Sequence, residues 1–158
     1  MSELRKILAS ECLCGDRVVR YDGGRVPLAH PVFIQWKEEG RIVPICPEVF
    51  GGLPTPRPDS QRRGGGVFTG AGDDVTSWYA KGAEEALRLA REHDVAFAVL
   101  KEGSPSCGSK QIYDGSFSGK KIPGNGLAAE YLKNAGFTVF DEDEIAEAAA
   151  LLAKLEAG

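Results

Sequence analysis

The segment Val95-Ala-Phe-Ala-Val-Leu100 constrains the chain most, because six consecutive apolar residues leave a strand no polar face to turn towards water. Such a strand belongs at the centre of a parallel sheet with helices packed on both sides. Before it, Tyr79, Ala83, Ala86, Leu87 and Ala90 recur at helical spacing over residues 76–93, with Glu84, Glu85, Arg88 and Arg91 on the other faces. The same alternation runs through the rest of the chain. Lys6-Ile-Leu-Ala-Ser10 reads as a buried strand, and residues 30–40 as a short helix with Pro31 in its first turn and Gly40 as its stop. Residues 41–46 form a second strand, which Pro44 sends to a sheet edge because it has no N–H to donate to a ladder. Residues 127–134 make a helix closed by Gly136, residues 137–140 a fourth strand, and residues 142–155 a last helix with acids at its start.

Strands alternating with helices imply an α/β fold: a doubly wound, Rossmann-like, four-stranded parallel sheet of order 2-1-3-4 in one domain over residues 1–158. That order places a topological switch point between strands 1 and 3, where open α/β sheets bind ligands. No internal repeat is present. Two segments, 47–75 and 102–126, are far longer than the roughly 2–6 residues usual for such connections. Both follow the carboxyl end of a strand and draw heavily on the chain's 20 glycines and 9 prolines, so they are expected to carry function.

The formal charge of −4 argues against nucleic acid as a partner, which favours a basic excess, and leaves a small molecule as the expected ligand. No apolar run approaches the roughly 20 residues of a membrane span, and the Met1 region lacks the features of a signal peptide. A soluble cytoplasmic protein with no membrane partner is expected. Neither G-x-G-x-x-G nor G-x-x-x-x-G-K-[ST] occurs, which removes the main support for a dinucleotide or nucleoside triphosphate. His30 and His93 have no partner histidine at ligand spacing and read as structural.

Cys12, Cys46 and Cys107 each stand at or just beyond the carboxyl end of predicted strands 1, 2 and 3, and those ends share one rim of a parallel sheet. Three thiolates there could hold a soft metal; the plain alternative is three small buried hydrophobes. Structural zinc prefers paired C-x-x-C ligands and a closed fourfold shell, whereas here only Cys12-Leu-Cys14 is close in sequence. An iron–sulfur cluster on three cysteines would leave one iron without a protein ligand, free to act as a Lewis acid. Beside these cysteines stand Glu48, a candidate for proton handling or else a local cap, and Ser104, a candidate hydroxyl or else a turn residue before Pro105. Arg57, Arg62 and Arg63 with Gly64-Gly-Gly66 could wrap an anion, or form a solvated loop. Tyr21-Asp22-Gly23-Gly24 and Tyr113-Asp114-Gly115 are turn signals, each with an aromatic in front.

Three blocks then carry a resemblance. Ser10-Glu-Cys12-Leu with Arg20-Tyr-Asp-Gly-Gly24, Val43-Pro-Ile-Cys46-Pro-Glu-Val-Phe-Gly-Gly-Leu-Pro-Thr-Pro-Arg57, and Lys101-Glu-Gly-Ser-Pro-Ser-Cys107-Gly with Ile112-Tyr-Asp-Gly-Ser-Phe-Ser-Gly119 resemble the thiouracil desulfidases over about residues 5–145. The resemblance implies a [4Fe-4S] cluster ligated by Cys12, Cys46 and Cys107, with one iron lacking a protein ligand. It implies non-redox, hydrolytic release of sulfide from a thiolated pyrimidine: 4-thiouracil, 4-thiouridine or its monophosphate. Glu48 and Ser104 fall at the catalytic, proton-handling positions, and Tyr21 and Arg57 are the candidate substrate contacts. Cys14 departs from the pattern, as a bystander, an assembly aid or a fourth ligand. The alternative function is a non-catalytic sulfur or iron carrier, or a metal-binding α/β domain.

Overall fold

The computed structural model describes residues 4–14 and 27–157. Its centre is a four-stranded parallel sheet of β1 (Ile7–Ser10), β2 (Ile42–Ile45), β5 (Ala98–Leu100) and β8 (Val139–Asp141), in the order β2-β1-β5-β8. This is the order 2-1-3-4 expected from the sequence, in a single domain. Among the described residues β2 is an edge strand that pairs only with β1, and Pro44 lies opposite Ala9 in that pairing. Only residues 98–100 of the apolar run are regular strand, although the Phe97 carbonyl already accepts from the Leu8 N–H at 3.1 Å.

Side chains alternate across the sheet with a period of two, and that alternation creates two cores. Leu8, Val43, Ile45, Ala98 and Leu100 face α4 (Thr76–Glu92) and α5 (Leu127–Asn134); Ile7, Ala9, Phe97 and Val99 face α2 (Pro31–Glu38) and α6 (Ile145–Ala157). The second core carries a chain of edge-to-face aromatic contacts, Trp36 on Phe97 at 5.9 Å and Phe97 on Phe140 at 5.3 Å between ring centroids. His30 is structural, as expected: its Nδ1 accepts from the Val32 N–H at 3.1 Å and caps α2. Among the described residues no helix is long and apolar enough to cross a membrane.

The two long connections are not featureless, and here the sequence reading is corrected. Residues 47–75 contain a single-turn helix, α3 (Pro47–Phe50), and an antiparallel hairpin of β3 (Ser60–Arg63) and β4 (Gly66–Thr69). Residues 102–126 contain a second hairpin, β6 (Gln111–Tyr113) with β7 (Lys121–Pro123). A further turn of helix, α1 (Glu11–Cys14), follows β1 directly. These pieces escape periodicity because they are three or four residues long and mostly polar or exposed, as with Ser-Gln-Arg-Arg in β3 and the wholly exposed β7.

α3 is placed by contact between backbones. Gly82 lies in the middle of α4, where glycine is unfavourable by about 0.5–1 kcal/mol relative to alanine. A Cβ at this position would stand 1.8 Å from the Pro47 carbonyl oxygen, so only glycine lets the first residue of α3 rest on the helix. Tyr79, one turn earlier in α4, thereby comes under α3.

Candidate active site

The carboxyl ends of β1, β2 and β5, together with both hairpin segments, enclose a cavity of about 470 Å³, within the range of small-molecule sites. It lies at the switch point between β1 and β5. Cys12, Cys46 and Cys107 all line it, as do Glu48, Arg57, Ser104 and Ser106. Each cysteine owes its place to a different local device: Cys12 sits in α1, Cys46 is the N-cap of α3, and Cys107 lies in the turn after β5. Tyr21 lies outside the described residues.

Burial pushes the Cys46 and Cys107 thiols up, in Cys107 well above the usual thiol range, and the neighbouring Cys12 and Cys46 push Cys107 further the same way. Hydroxyls reach the Cys107 sulfur. Ser106 Oγ stands 3.8 Å from it, and Ser10, whose Oγ accepts from the Lys101 N–H at 2.8 Å, also bonds to the sulfur. Among the described residues no three His, Cys, Asp or Glu side chains close around a single metal ion. A tetrahedral zinc would need its sulfurs about 2.3 Å from one point. Three thiols, Cys107 buried and Cys12 and Cys46 half-buried, that share a cavity without converging on a point suit a larger, thiolate-held iron–sulfur group. Cys14 has no part in the cavity wall: it is 6% exposed in the core beneath α2 and α6, with its Sγ 3.8 Å from the Ser10 carbonyl oxygen.

Glu48 is the polar hub. Its Oε1 accepts from Arg57 Nε at 3.0 Å and from the Tyr79 hydroxyl at 2.9 Å, and its Oε2 from Ser104 Oγ at 3.2 Å and Ser106 Oγ at 3.1 Å. A carboxylate offers about four lone-pair positions, and four side-chain donors stand within reach of them. Tyr79 remains a donor, because burial and the adjacent Glu48 charge push its hydroxyl far above the usual phenol range. Arg57 is fixed at its other end, with Nη1 donating to the Pro54 carbonyl and to Thr55 Oγ1, each at 3.1 Å. Ser104 Oγ accepts from the N–H groups of Ser106 and Cys107 at 3.1 and 3.2 Å, so its single proton points to Glu48 or to Ser106 Oγ 2.9 Å away.

Glu48 therefore holds a side-chain network rather than capping a helix, and Ser104 does more than initiate a turn. Tyr79 and Ser106 were not singled out from the sequence. Tyr79 reads there as an apolar contact of α4, and its ring is indeed buried; only the tertiary fold shows where the hydroxyl ends. The anion-wrapping reading of Arg62 and Arg63 is corrected. Arg62 donates to the Asn125 carbonyl at 2.6 Å and to Glu130 at 3.1 Å and so stitches the first hairpin to its surroundings, while Arg63 lies 4.9 Å over the Phe68 ring within that hairpin. Gly64 and Gly65 form the exposed two-residue turn of that hairpin, and Gly66 begins β4.

With the fold and this geometry in view, a family model described as 2-thiouracil desulfurase matches residues 7–144. The chain belongs to the 2-thiouracil desulfurase family. Membership makes it an enzyme of the desulfidase class. A solved structure of the [4Fe-4S]-dependent thiouracil desulfidase TudS is similar at 46% identity and a TM-score of 0.92, over 94% of this chain and 98% of that one. The uncharacterised protein YbbK of Bacillus subtilis (strain 168) is 41% identical over 149 residues, covering 88% of this chain and 97% of the relative. Against that background, the desulfurase fold seats three thiols and a many-partnered carboxylate on one sheet rim.

Proposed function

We propose that this desulfurase-family protein is a [4Fe-4S]-dependent, non-redox desulfidase. It converts a thiolated pyrimidine, as 4-thiouracil, 4-thiouridine or its monophosphate, to the oxo base and sulfide in the cytoplasm, where thiols stay reduced. Neither a membrane nor a nucleic acid takes part. The observation that carries the reading is the meeting of Cys12, Cys46 and Cys107 with the Glu48–Ser104–Ser106 network in one cavity. Membership of the 2-thiouracil desulfurase family and the likeness to the [4Fe-4S]-dependent thiouracil desulfidase TudS support it.

Cys12, Cys46 and Cys107 would hold the cluster as thiolates, with one iron lacking a protein ligand. When bound, it supplies a soft Lewis acid suited to a thiocarbonyl sulfur. The remaining work falls to the chain. In the net reaction water adds its oxygen to the thiocarbonyl carbon, the carbon–sulfur bond breaks with its electron pair on sulfur, and no electron is gained or lost. Ser104, half-buried on the cavity wall, receives the proton of the attacking water as one of the backbone N–H bonds to its oxygen gives way, while passing its own to Glu48 Oε2. Ser106 is 1% exposed behind it and positions the carboxylate and Ser104 rather than meeting the substrate. Because the proton travels along the bond that Ser104 already makes to Oε2, the carboxylate needs no further lone pair to accept it. Arg57 and Tyr79 fix the other carboxylate oxygen throughout, and Arg57 and Tyr21 are the substrate contacts of this reading.

The test is anaerobic reconstitution followed by sulfide assay with each thiolated base, nucleoside and nucleotide. The expected result is a brown protein that releases sulfide, with Cys107→Ala losing both cluster and turnover and Glu48→Ala keeping the cluster but losing turnover. A cluster-bearing protein inert to every substrate would establish a carrier instead.

A further inference from the structure

A pyrimidine that presents its thiocarbonyl for desulfidation still carries a second carbonyl and ring N–H groups. Each needs a partner in a closed site, since an unpaired buried polar group is unfavourable by about 1–3 kcal/mol. Several polar side chains of the cavity are already engaged. Glu48 and Arg57 hold one another, Lys101 Nζ pairs with Glu142 at 2.7 Å, and Glu102 accepts the N–H groups of Lys110 and Gln111 at 3.1 and 2.8 Å.

Gln61 differs. It lies in β3, lines the cavity and is only 6% exposed. Its Oε1 accepts from the N–H groups of Gly115 and Phe117, at 3.1 and 3.3 Å, in the turn of the β6–β7 hairpin. Two N–H donors on one atom settle which end of the amide is oxygen, because nitrogen cannot accept them. The orientation is thus fixed by the neighbouring hairpin, and among the described residues no hydrogen bond occupies Nε2. A buried amide pinned through its oxygen, with its N–H groups left over beside a ligand cavity, is a preorganised donor.

We propose that Gln61 is a specificity-determining residue: its Nε2 donates to the ring carbonyl oxygen that is not removed, so that the site selects an oxo-thio pyrimidine over a thione lacking that carbonyl. This rests on the desulfidase reading above. A site built to bond a substrate group rejects analogues without it more strongly than an apolar pocket rejects a lost methylene. The role also explains why a polar residue occupies a buried position of a hairpin strand whose partner strand buries Val67 and Thr69.

The test uses Gln61→Glu, which keeps the shape and an oxygen for the Gly115 and Phe117 N–H groups but replaces the donor by an acceptor. The expected result is a rise of about tenfold or more in KM for 4-thiouracil with a smaller change in kcat, and a matching loss in equilibrium affinity for uracil. Wild-type protein should prefer 4-thiouracil to pyrimidine-4-thione, which lacks the carbonyl, by about tenfold or more, and Gln61→Glu should abolish that preference. Cluster absorbance and melting temperature should stay at wild-type values. Unchanged KM and uracil affinity in Gln61→Glu, alongside normal wild-type turnover, would overturn the role of Gln61 alone. So would an equal loss on both substrates with a lowered melting temperature, which would make Gln61 a brace for the hairpin. A wild-type protein that neither turns over thiouracil nor binds uracil would overturn the desulfidase reading, and the base-reading role with it.

Discussion

The two segments that build the cavity, 47–75 and 102–126, are alike in one respect and opposite in another. Each is seated on a helix by direct contact of backbones at a glycine: Pro47 on Gly82 of α4, and Ser106 on Gly126 at the start of α5, where a Cβ would stand 2.4 Å from the Ser106 carbonyl carbon. Beyond that seat they are fixed by different forces. The first is braced by Arg57 on Glu48, an ion pair within the segment at 3.0 Å, and by the stitching of Arg62 to Glu130. The second is organised around Glu102. Burial raises that carboxyl, but bonds from the N–H groups of Gln111, Lys110, Ser109 and Gly103 outweigh it and hold its pKa below the ordinary value. One segment is fixed by volume and an internal pair, the other by a single carboxylate gathering its backbone, so they should fail in different ways.

The largest effect should come from Gly82→Ala. A methyl 1.8 Å from the Pro47 oxygen must displace α3, and the expected loss is about 3 kcal/mol or more, despite alanine's intrinsic preference for helix. Urea unfolding measures it; a stabilised variant would show that the contact yields easily. Gly126→Ala should cost less stability, about 1–3 kcal/mol, but should move Ser106 off Glu48 and lower kcat more than its midpoint shift suggests. Equal damage to turnover from a remote core variant of the same stability would break that distinction.

Acid should separate the two segments next. A carboxyl whose pKa is lowered on folding contributes stability that is present above its unfolded value and lost as pH falls through the folded one. For Glu102 that loss begins near its ordinary 4.5 and continues below it. Glu102→Gln should therefore lower stability by about 1–2 kcal/mol at neutral pH and flatten the fall in melting temperature below about pH 4.5. An undiminished acid slope would assign the sensitivity elsewhere. Smallest of all, Tyr79→Phe should cost about 1 kcal/mol and leave Glu48 with three donors, slowing turnover without loss of cluster. A variant with wild-type kcat would show that the tyrosine serves only packing.

The sheet was legible in sequence because its strands are apolar runs and its helices are periodic. The Pro44 edge and the central position of Val95–Leu100 followed from what those residues can and cannot do in a ladder. The three cysteines were legible as a set for the same reason, since parallel strands must end on a common rim. The hairpins were not. Ser60–Arg63 and Lys121–Pro123 are strands only because each has a partner and a wall of the cavity to lean on, and polar residues in threes and fours carry no period. Nor could spacing show that Cys12 and Cys14, two residues apart, face in different directions; one turn of helix after β1 sends Cys12 to the cavity and Cys14 to the core.

By itself, then, the sequence determined the α/β architecture, the strand order, and which thiols and which carboxylate could meet, because local pattern and chain connectivity suffice for these. Only the tertiary structure decided how the meeting is arranged: that Tyr79 and Ser106 complete the ring of donors on Glu48, that Cys14 is excluded, and that Gln61 faces the cavity with its orientation fixed. Those outcomes depend on contacts between residues tens of positions apart, made where two glycines let backbones touch, and no period along the chain encodes such a contact.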